Sequence, residues 1–473
     1  MLQIFIILYF IAIGIGLSGI LKKAGYKGWE AFVPFYNTYL WVKLVGRPTW
    51  WAFVLYVPIA GFFVWISLLV DLANTHKKGD FKDHAGIVVL TPIFICLWGF
   101  DKLMKQAYTV NTLPKIIKTP TREWADAIGF AVIAASFIRW SLFEAFTIPT
   151  SSMEKSLLVG DFLFVSKIHY GPRSPKTPLQ VPLTHQKIWG TEIPSYLTWI
   201  DLPQYRFPGF TTVKNNDVVV FNYPDDDEYP TDLKTNYIKR CIAIAGDTLQ
   251  IKDLQVHING KPVVNPAEMQ YRYILITEKT ENINDFNLYM GELFRRNKIS
   301  EFQQIQEGFF VWTTAATAEK LKTFNYIKQV ILMPKPAGEG DPRVYPNNAQ
   351  FKWNEDNFGP LVVPKKGMTI ASNQKNLIQY EKVIVKYEGN KNVKIEGDKL
   401  FIDGKALTSY TFKQNYYFMM GDNRHNSLDS RFWGFVPEDH VVGKAAMIWL
   451  SLDKSTGKLK DLIRFERLFN LIK

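Results

Sequence analysis

At 473 residues, 47% hydrophobic and 15% aromatic, the chain exceeds what one globular core needs and suits at least two units, one of them in lipid. Its formal net charge of +12 does not mark a nucleic-acid binder: residues 1–147 hold 14 Lys/Arg against 8 Asp/Glu among apolar runs, with no basic recognition helix, zinc-ligand set or aromatic RNA motif. The two cysteines, Cys96 in an apolar run and Cys241 in an expected strand, make no disulfide framework.

Met1 to Leu21 carries no charge and is followed by Lys22 and Lys23. A signal peptide has its positive charge before the apolar stretch, so this reads as a retained helix with its N-terminus outside. Pro48 to Val70 is a second uncharged run, 23 residues long and enough to span a bilayer. Ala85 to Phe100 has 16 residues and contains Pro92; it either spans or forms an interfacial or re-entrant segment. The fourth run, Asp126 to Phe143, places Arg139 where a long side chain snorkels to headgroups. The intervening loops (22–47, 71–84, 101–126) hold 5, 3 and 5 Lys/Arg, which puts the first and third inside. The expectation is a multi-pass protein of the cell (inner) membrane, with everything after the last span on the extracytoplasmic side. The aromatic stretch GYKGWEAFVPFYNTYLWVKLVG (25–46) either lies along the cytoplasmic interface or packs as a helix between spans.

Beyond Asp161 the pattern changes to short β-rich runs broken by Gly, Pro, Asn and Asp. DVVVFNYP (217–224) and YIKRCIAIAGD (237–247) read as strands ending in turns. LQVHINGKPVV (254–264) and KLFIDGKAL (399–407) each set Asn-Gly or Asp-Gly between apolar β runs, a strong hairpin signal. The residues between these two hairpins include helix-like stretches at 285–306 and 317–330. The expected organisation is therefore a membrane region over 1–147, a catalytic β domain in two parts (148–265 and 396–473), and an α+β insertion over 266–395. Residues 170–212 are rich in Pro and aromatics and form either a membrane-interface loop or a loop pinned onto the β core.

The chemistry gathers around FTIPTSSMEKSLLVGD (146–161), just beyond the last apolar run. A serine here needs a base to take its proton. Of the seven histidines only His425, in GDNRHNSLDSRFWGF (421–435), lies among dense polar residues, with Asp429 as a partner carboxylate; no G-x-S-x-G elbow surrounds Ser152. A lysine serves instead if burial discharges it. Lys239, in the apolar strand NYIKRCIAIAG, is either such a base or an amphipathic edge-strand residue.

FIRWSLFEAFTIPTSSM (137–153), DVVVFNYP, YIKRCIAIAGD and GDNRHNSLDSRFWGFVPEDHVVGKA (421–445) resemble, in order, the boxes of bacterial type I signal peptidases. The resemblance covers about residues 126–265 and 395–460. It implies a signal-peptidase β fold behind transmembrane helices, with Ser152 as nucleophile and Lys239 as general base. It further implies that the Thr150 hydroxyl joins the Ser152 N–H as oxyanion hole, that Ser427 orients the lysine, and that Asp429 and Arg431 form a supporting ion pair. Met153 would line the site, and Phe146, Ile148, Leu157, Tyr237 and Ile238 would form shallow pockets for small substrate side chains. Asp422, Asn423 and Arg424 fall at scaffold positions.

Three positions depart from the family: Thr150 where serine is common, Lys155 where proline follows the nucleophile, and His425 where aspartate is frequent. The implied substrates are signal-peptide-bearing precursors, the implied surroundings lipid, and neither metal nor other cofactor is required. Two alternatives share parts of the pattern. A self-cleaving Ser-Lys regulator would carry a DNA-binding module, and a non-catalytic membrane-anchored assembly or partner-binding protein would leave Ser152 and Lys239 replaceable.

Overall fold

Val218 to Asn222 is an unbroken run of buried side chains, the signature of a strand covered on both faces. It lies near the middle of an eight-stranded antiparallel sheet in the computed structural model, which describes residues 2–57, 60–102, 111–112, 118–278, 283–453 and 462–472. The chain divides into two compact units, Met1–Phe137 and Ile138–Lys473.

In the first unit the helix Leu2–Lys23 packs along Thr91–Phe100. Small residues set their approach: a Cβ on Gly16 would lie 2.6 Å from the Cys96 nitrogen, and one on Gly19 would lie 2.6 Å from the Gly99 oxygen. Ile13, Leu17, Ile20 and Leu21 are buried in one cluster with Trp41, Leu68 and Leu72. The run expected at 85–100 is two helices, Phe81–Val89 and Thr91–Phe100, bent by 114° at Leu90, with proline in the first turn of the second. The run at 48–70 contains Trp51–Val54 and Ala60–Thr75; its residues 58–59 lie outside the described residues. So do 103–110 and 113–117, which carry part of the third basic loop. Among the described residues no single helix is long and apolar enough to cross a membrane, while the bent pair together meets that length and composition.

The second unit holds the large sheet. Its strands are β1 (Phe143–Thr147), β2 (Asp161–Ser166), β3 (Val218–Asn222), β4 (Asn236–Ala243), β5 (Tyr416–Met420), β6 (Val436–Pro437), β7 (Val441–Ser451) and β8 (Asn470–Leu471). Their spatial order is β1-β2-β7-β3-β4-β5-β6, and β8 pairs with β7. β4 is thus flanked on both sides, with Lys239 opposite Val219 and Arg240 opposite Met420.

Both glycine hairpins form, with positive φ at Asn259 and Gly260 (53° and 79°) and at Asp403 and Gly404 (50° and 77°), as a two-residue type I′ turn demands. Between them the chain does two things. Residues 269–332 carry their own core, including Tyr273, Leu293, Phe294, Val311 and Leu321, under a four-stranded sheet. Val344, Leu377, Tyr380 and Ile384 instead share a core with Leu249, Ile251, Tyr416 and Phe418, and Phe358–Val362 pairs with Thr248–Lys252. The helix expected at 285–306 ends at Arg296 and is followed by the strand Phe302–Ile305; that at 317–330 ends at Leu321 and gives way to the strand Ile327–Leu332. Pairing within the four-stranded sheet overrides the helical pattern in both tails.

Candidate active site

After β1 the chain runs extended through Thr150 and then winds into a single 3₁₀ turn, Ser151–Met153. Met153 is fully buried and its sulfur accepts the Asp422 N–H at 3.4 Å, which seats the turn against the loop after β5. The Ser152 carbonyl accepts the Asn423 N–H at 3.1 Å. Gly421 is required by this close approach: a Cβ there would lie 2.2 Å from Ser427 Oγ and 2.5 Å from the Ser152 oxygen.

Lys239 reaches this turn from β4. Its Nζ donates to Ser152 Oγ at 2.7 Å and to the Ile238 carbonyl at 2.9 Å, and it lies 5.5 Å from the Tyr237 ring centre. Lys239 is only 4% exposed. Burial pulls its amine down to about 8, opposed by the fields of Asp429 and Asp422. Neither aspartate forms an ion pair with it. Asp422 is held by Arg240 (2.8 and 2.6 Å) and accepts the Ser156 hydroxyl at 2.6 Å; Asp429 is held by Arg431 (2.9 and 2.8 Å). Burial alone would raise the Asp429 carboxyl, but Arg431 and the N–H groups of Gly421 and Arg431 hold it below its ordinary range.

Ser427 is buried beside Gly421, yet its Oγ makes no hydrogen bond, and the lysine amine donates to Ser152 and Ile238 instead. Thr150 is exposed, with a side chain that does not cap the turn. Ile148, Met153 and Leu157 are buried in one cluster, against which Phe146 and Ile238 pack. Tyr237 is not part of it. Strand alternation sets its ring apart from Ile238 and on the side of Lys239, whose Nζ lies 5.5 Å from the ring centre; the ring also stacks on Tyr223 at 4.6 Å and meets Trp433 edge-on at 5.6 Å. His425 is engaged at both ring nitrogens: Nδ1 accepts the Arg272 N–H at 3.1 Å, so Nε2 donates to Asp356 at 2.8 Å. That removes it as a base for Ser152. Glu355, Asp356 and His425 lie close enough to suggest a cation site, but the same donated proton on Nε2 occupies the position a metal would need.

Sequence reasoning missed three participants. Arg240 carried a signal, being a second cation in an apolar strand with an unassigned acid, Asp422, elsewhere. Ser156 and Glu301 carried none: Glu301 accepts the Ser151 hydroxyl from 150 positions away.

A family model for signal peptidase, peptidase S26, matches residues 121–296 and 285–450. The chain is 30% identical over 385 residues to signal peptidase I of Buchnera aphidicola subsp. Acyrthosiphon pisum, covering 79% of this chain and 92% of that protein. It is 25% identical over 432 residues to signal peptidase I of Haemophilus influenzae, covering 87% and 97%.

The chain belongs to the signal peptidase family, peptidase S26.

Its activity is accordingly that of a serine endopeptidase that removes signal peptides. The signal peptidase I of Aquifex aeolicus is 24% identical over 332 residues, 70% of this chain and 83% of its own length. Residues 29–109 also match a family of unknown function (DUF5684).

Proposed function

We propose that this signal peptidase works through a Ser152/Lys239 dyad. The observation that carries the reading is the 2.7 Å hydrogen bond between Ser152 Oγ and a buried amine with no carboxylate partner. As a free base the amine accepts the Ser152 proton while Oγ attacks the scissile carbonyl. The carbonyl oxygen becomes an oxyanion, stabilised by the Thr150 hydroxyl and the Ser152 N–H. The C–N bond then breaks, and the new N-terminal amine takes the proton from Lys239. Lys239, again a free base, takes a proton from water as the water oxygen attacks the acyl-serine carbonyl; the ester C–O bond breaks, Ser152 Oγ recovers that proton from Lys239, and the signal peptide leaves with a new C-terminal carboxylate. Asp422 and Asp429 stay bound to their arginines throughout, and Ser427 orients the amine once Ser152 gives up its proton.

Small residues before the cleavage point rest on the partly exposed Phe146 and Ile238, which pack over the buried cluster of Ile148, Met153 and Leu157. Such residues fit because this floor is shallow and its packed base cannot yield to a larger side chain. Signal-peptide-bearing precursors present this A-x-A-like pattern just beyond an apolar helix.

The proposal places the enzyme in the cell (inner) membrane as a multi-pass protein with the β domain on the extracytoplasmic side. The alternation of basic loops supports it, and so do the exposed aromatics of the 170–212 segment, suited to a membrane interface: Trp199 and Phe210 are 82% and 85% exposed, and Trp189, Ile193 and Tyr205 are also exposed. Incubation of the solubilised protein with an exported precursor tests the chemistry. Ser152→Ala and Lys239→Ala are each expected to lose cleavage while keeping the wild-type circular dichroism spectrum. Labelling of Asp80→Cys, without Cys96 and Cys241, tests topology; reaction only from the cytoplasmic side would exclude it.

A further inference from the structure

The loop between the helix Ile283–Arg296 and the strand Phe302–Ile305 belongs to the subdomain with its own core, yet it touches the serine turn at three points. Glu301 accepts the Ser151 hydroxyl through Oε1. Ser300 Oγ donates to Glu154 at 2.9 Å, and Lys155 donates to the Lys298 carbonyl. Glu301 Oε2 also accepts Asn423 Nδ2 at 2.9 Å and Asn426 Nδ2 at 2.8 Å. One carboxylate thus ties the turn that carries Ser152 to the turn that carries Ser427. Its donors are neutral, and among the described residues it forms no ion pair.

The loop is itself fixed. Ile299 is buried in the subdomain core and its N–H donates to the Phe294 carbonyl at 2.8 Å; the Glu301 carbonyl accepts the Trp312 N–H at 3.2 Å. Lys155 has φ +70°, a strained conformation for a side-chain-bearing residue, and the Lys298 contact holds it there. The chain after Met153 lacks a proline to stiffen it, and these contacts supply the stiffness from outside.

We propose that the inserted subdomain is a positioning element of the catalytic site, with Glu301 fixing the Ser151–Met153 turn against the Asn423–Asn426 turn. The inference rests on Ser152 being the nucleophile. Misplacing a reacting group by an ångström costs on the order of 100-fold in rate. Glu301→Gln, which keeps the shape but removes the charge and one of the two acceptor oxygens that join the turns, is expected to lower kcat on a precursor by about 10- to 100-fold. KM should stay within about twofold, since no substrate contact is removed.

Ser151→Ala should do the same, Ser151→Thr should restore most of the rate, and the Glu301→Gln/Ser151→Ala double variant should be no slower than the slower single. A general structural role would not produce that rescue or that non-additivity. The proposal is overturned if both single variants cleave within about twofold of wild type, if the two losses multiply, or if KM rises with kcat unchanged. Should Glu301→Gln fail to fold, the Ser151 pair decides alone. Ser152→Ala run beside them separates the two failures: retained cleavage there removes the nucleophile itself, whereas an inactive Ser152→Ala with normal Glu301→Gln and Ser151→Ala removes only the positioning role.

Discussion

Two lysines in the same sheet region, one half-buried and one buried, have opposite surroundings. Lys167, just past β2, forms an ion pair with Glu144 at 2.8 Å, and Arg139 binds the same carboxylate at 2.7 Å. Lys239 on β4 has two aspartates nearby, and each is occupied by an arginine. Burial lowers both amines, but at Lys167 the Glu144 charge pulls directly against it. A lysine given a carboxylate is a structural cation. A lysine whose neighbouring carboxylates are neutralised elsewhere can act as a base, and the arginines are as necessary to that as the apolar walls.

The sharpest way to break the contrast is to remove each amine. Lys239→Met is expected to lower precursor cleavage by roughly 1,000-fold, in the range general-base catalysis supplies. Lys167→Met should leave kcat/KM within about threefold and instead lower stability by about 2–3 kcal/mol, read by denaturant titration, because Glu144 loses one of two cations. Equal effects on cleavage would mean that the distinction has no catalytic meaning. Arg240→Met probes the arginine argument. It leaves Asp422 uncompensated beside the amine, so the acid limb of kcat/KM should move up by about one pH unit and the rate at pH 7 should fall about tenfold. An unmoved limb would show that Asp422 does not sense Lys239.

The wild-type limb itself should lie near pH 8, where the amine titrates in the free enzyme, with kcat/KM rising as pH increases through that value. The smallest expected effect is at His425. His425→Ala loses its bonds to Asp356 and the Arg272 N–H, so a modest stability change of about 1 kcal/mol is expected, with cleavage within about threefold.

Local chemistry made part of this legible in the sequence. Asn259-Gly260 and Asp403-Gly404 announced their turns because few residues other than glycine tolerate the required φ. Lys239 stood out because a cation in an apolar strand needs a reason. What could not be read was set by distant packing. Phe302–Ile305 is a strand because Gly308–Thr314 pairs with it, and the face that Tyr237 presents depends on which elements cover β4. The apolar character of 85–100 was plain, whereas its bend at Leu90 was foreshadowed only by Pro92. Glu301 gave no hint at all, since nothing around it in the chain refers to a serine 150 positions earlier.

The buried Lys239 also sets how the fold responds to alkali. In the unfolded chain its amine releases a proton near pH 10.4, but in the folded protein it does so near 8, so between those values the unfolded state binds more protons. By linkage, stability contributed at this site rises with pH across that window. The difference corresponds to about 3 kcal/mol that is missing below pH 8 and recovered by about pH 10.5. Lys239→Met should therefore melt at a higher temperature than wild type at pH 7, and the gap should close as both are titrated towards pH 10.5. A gap that stays constant would locate the difference in packing, not in the proton.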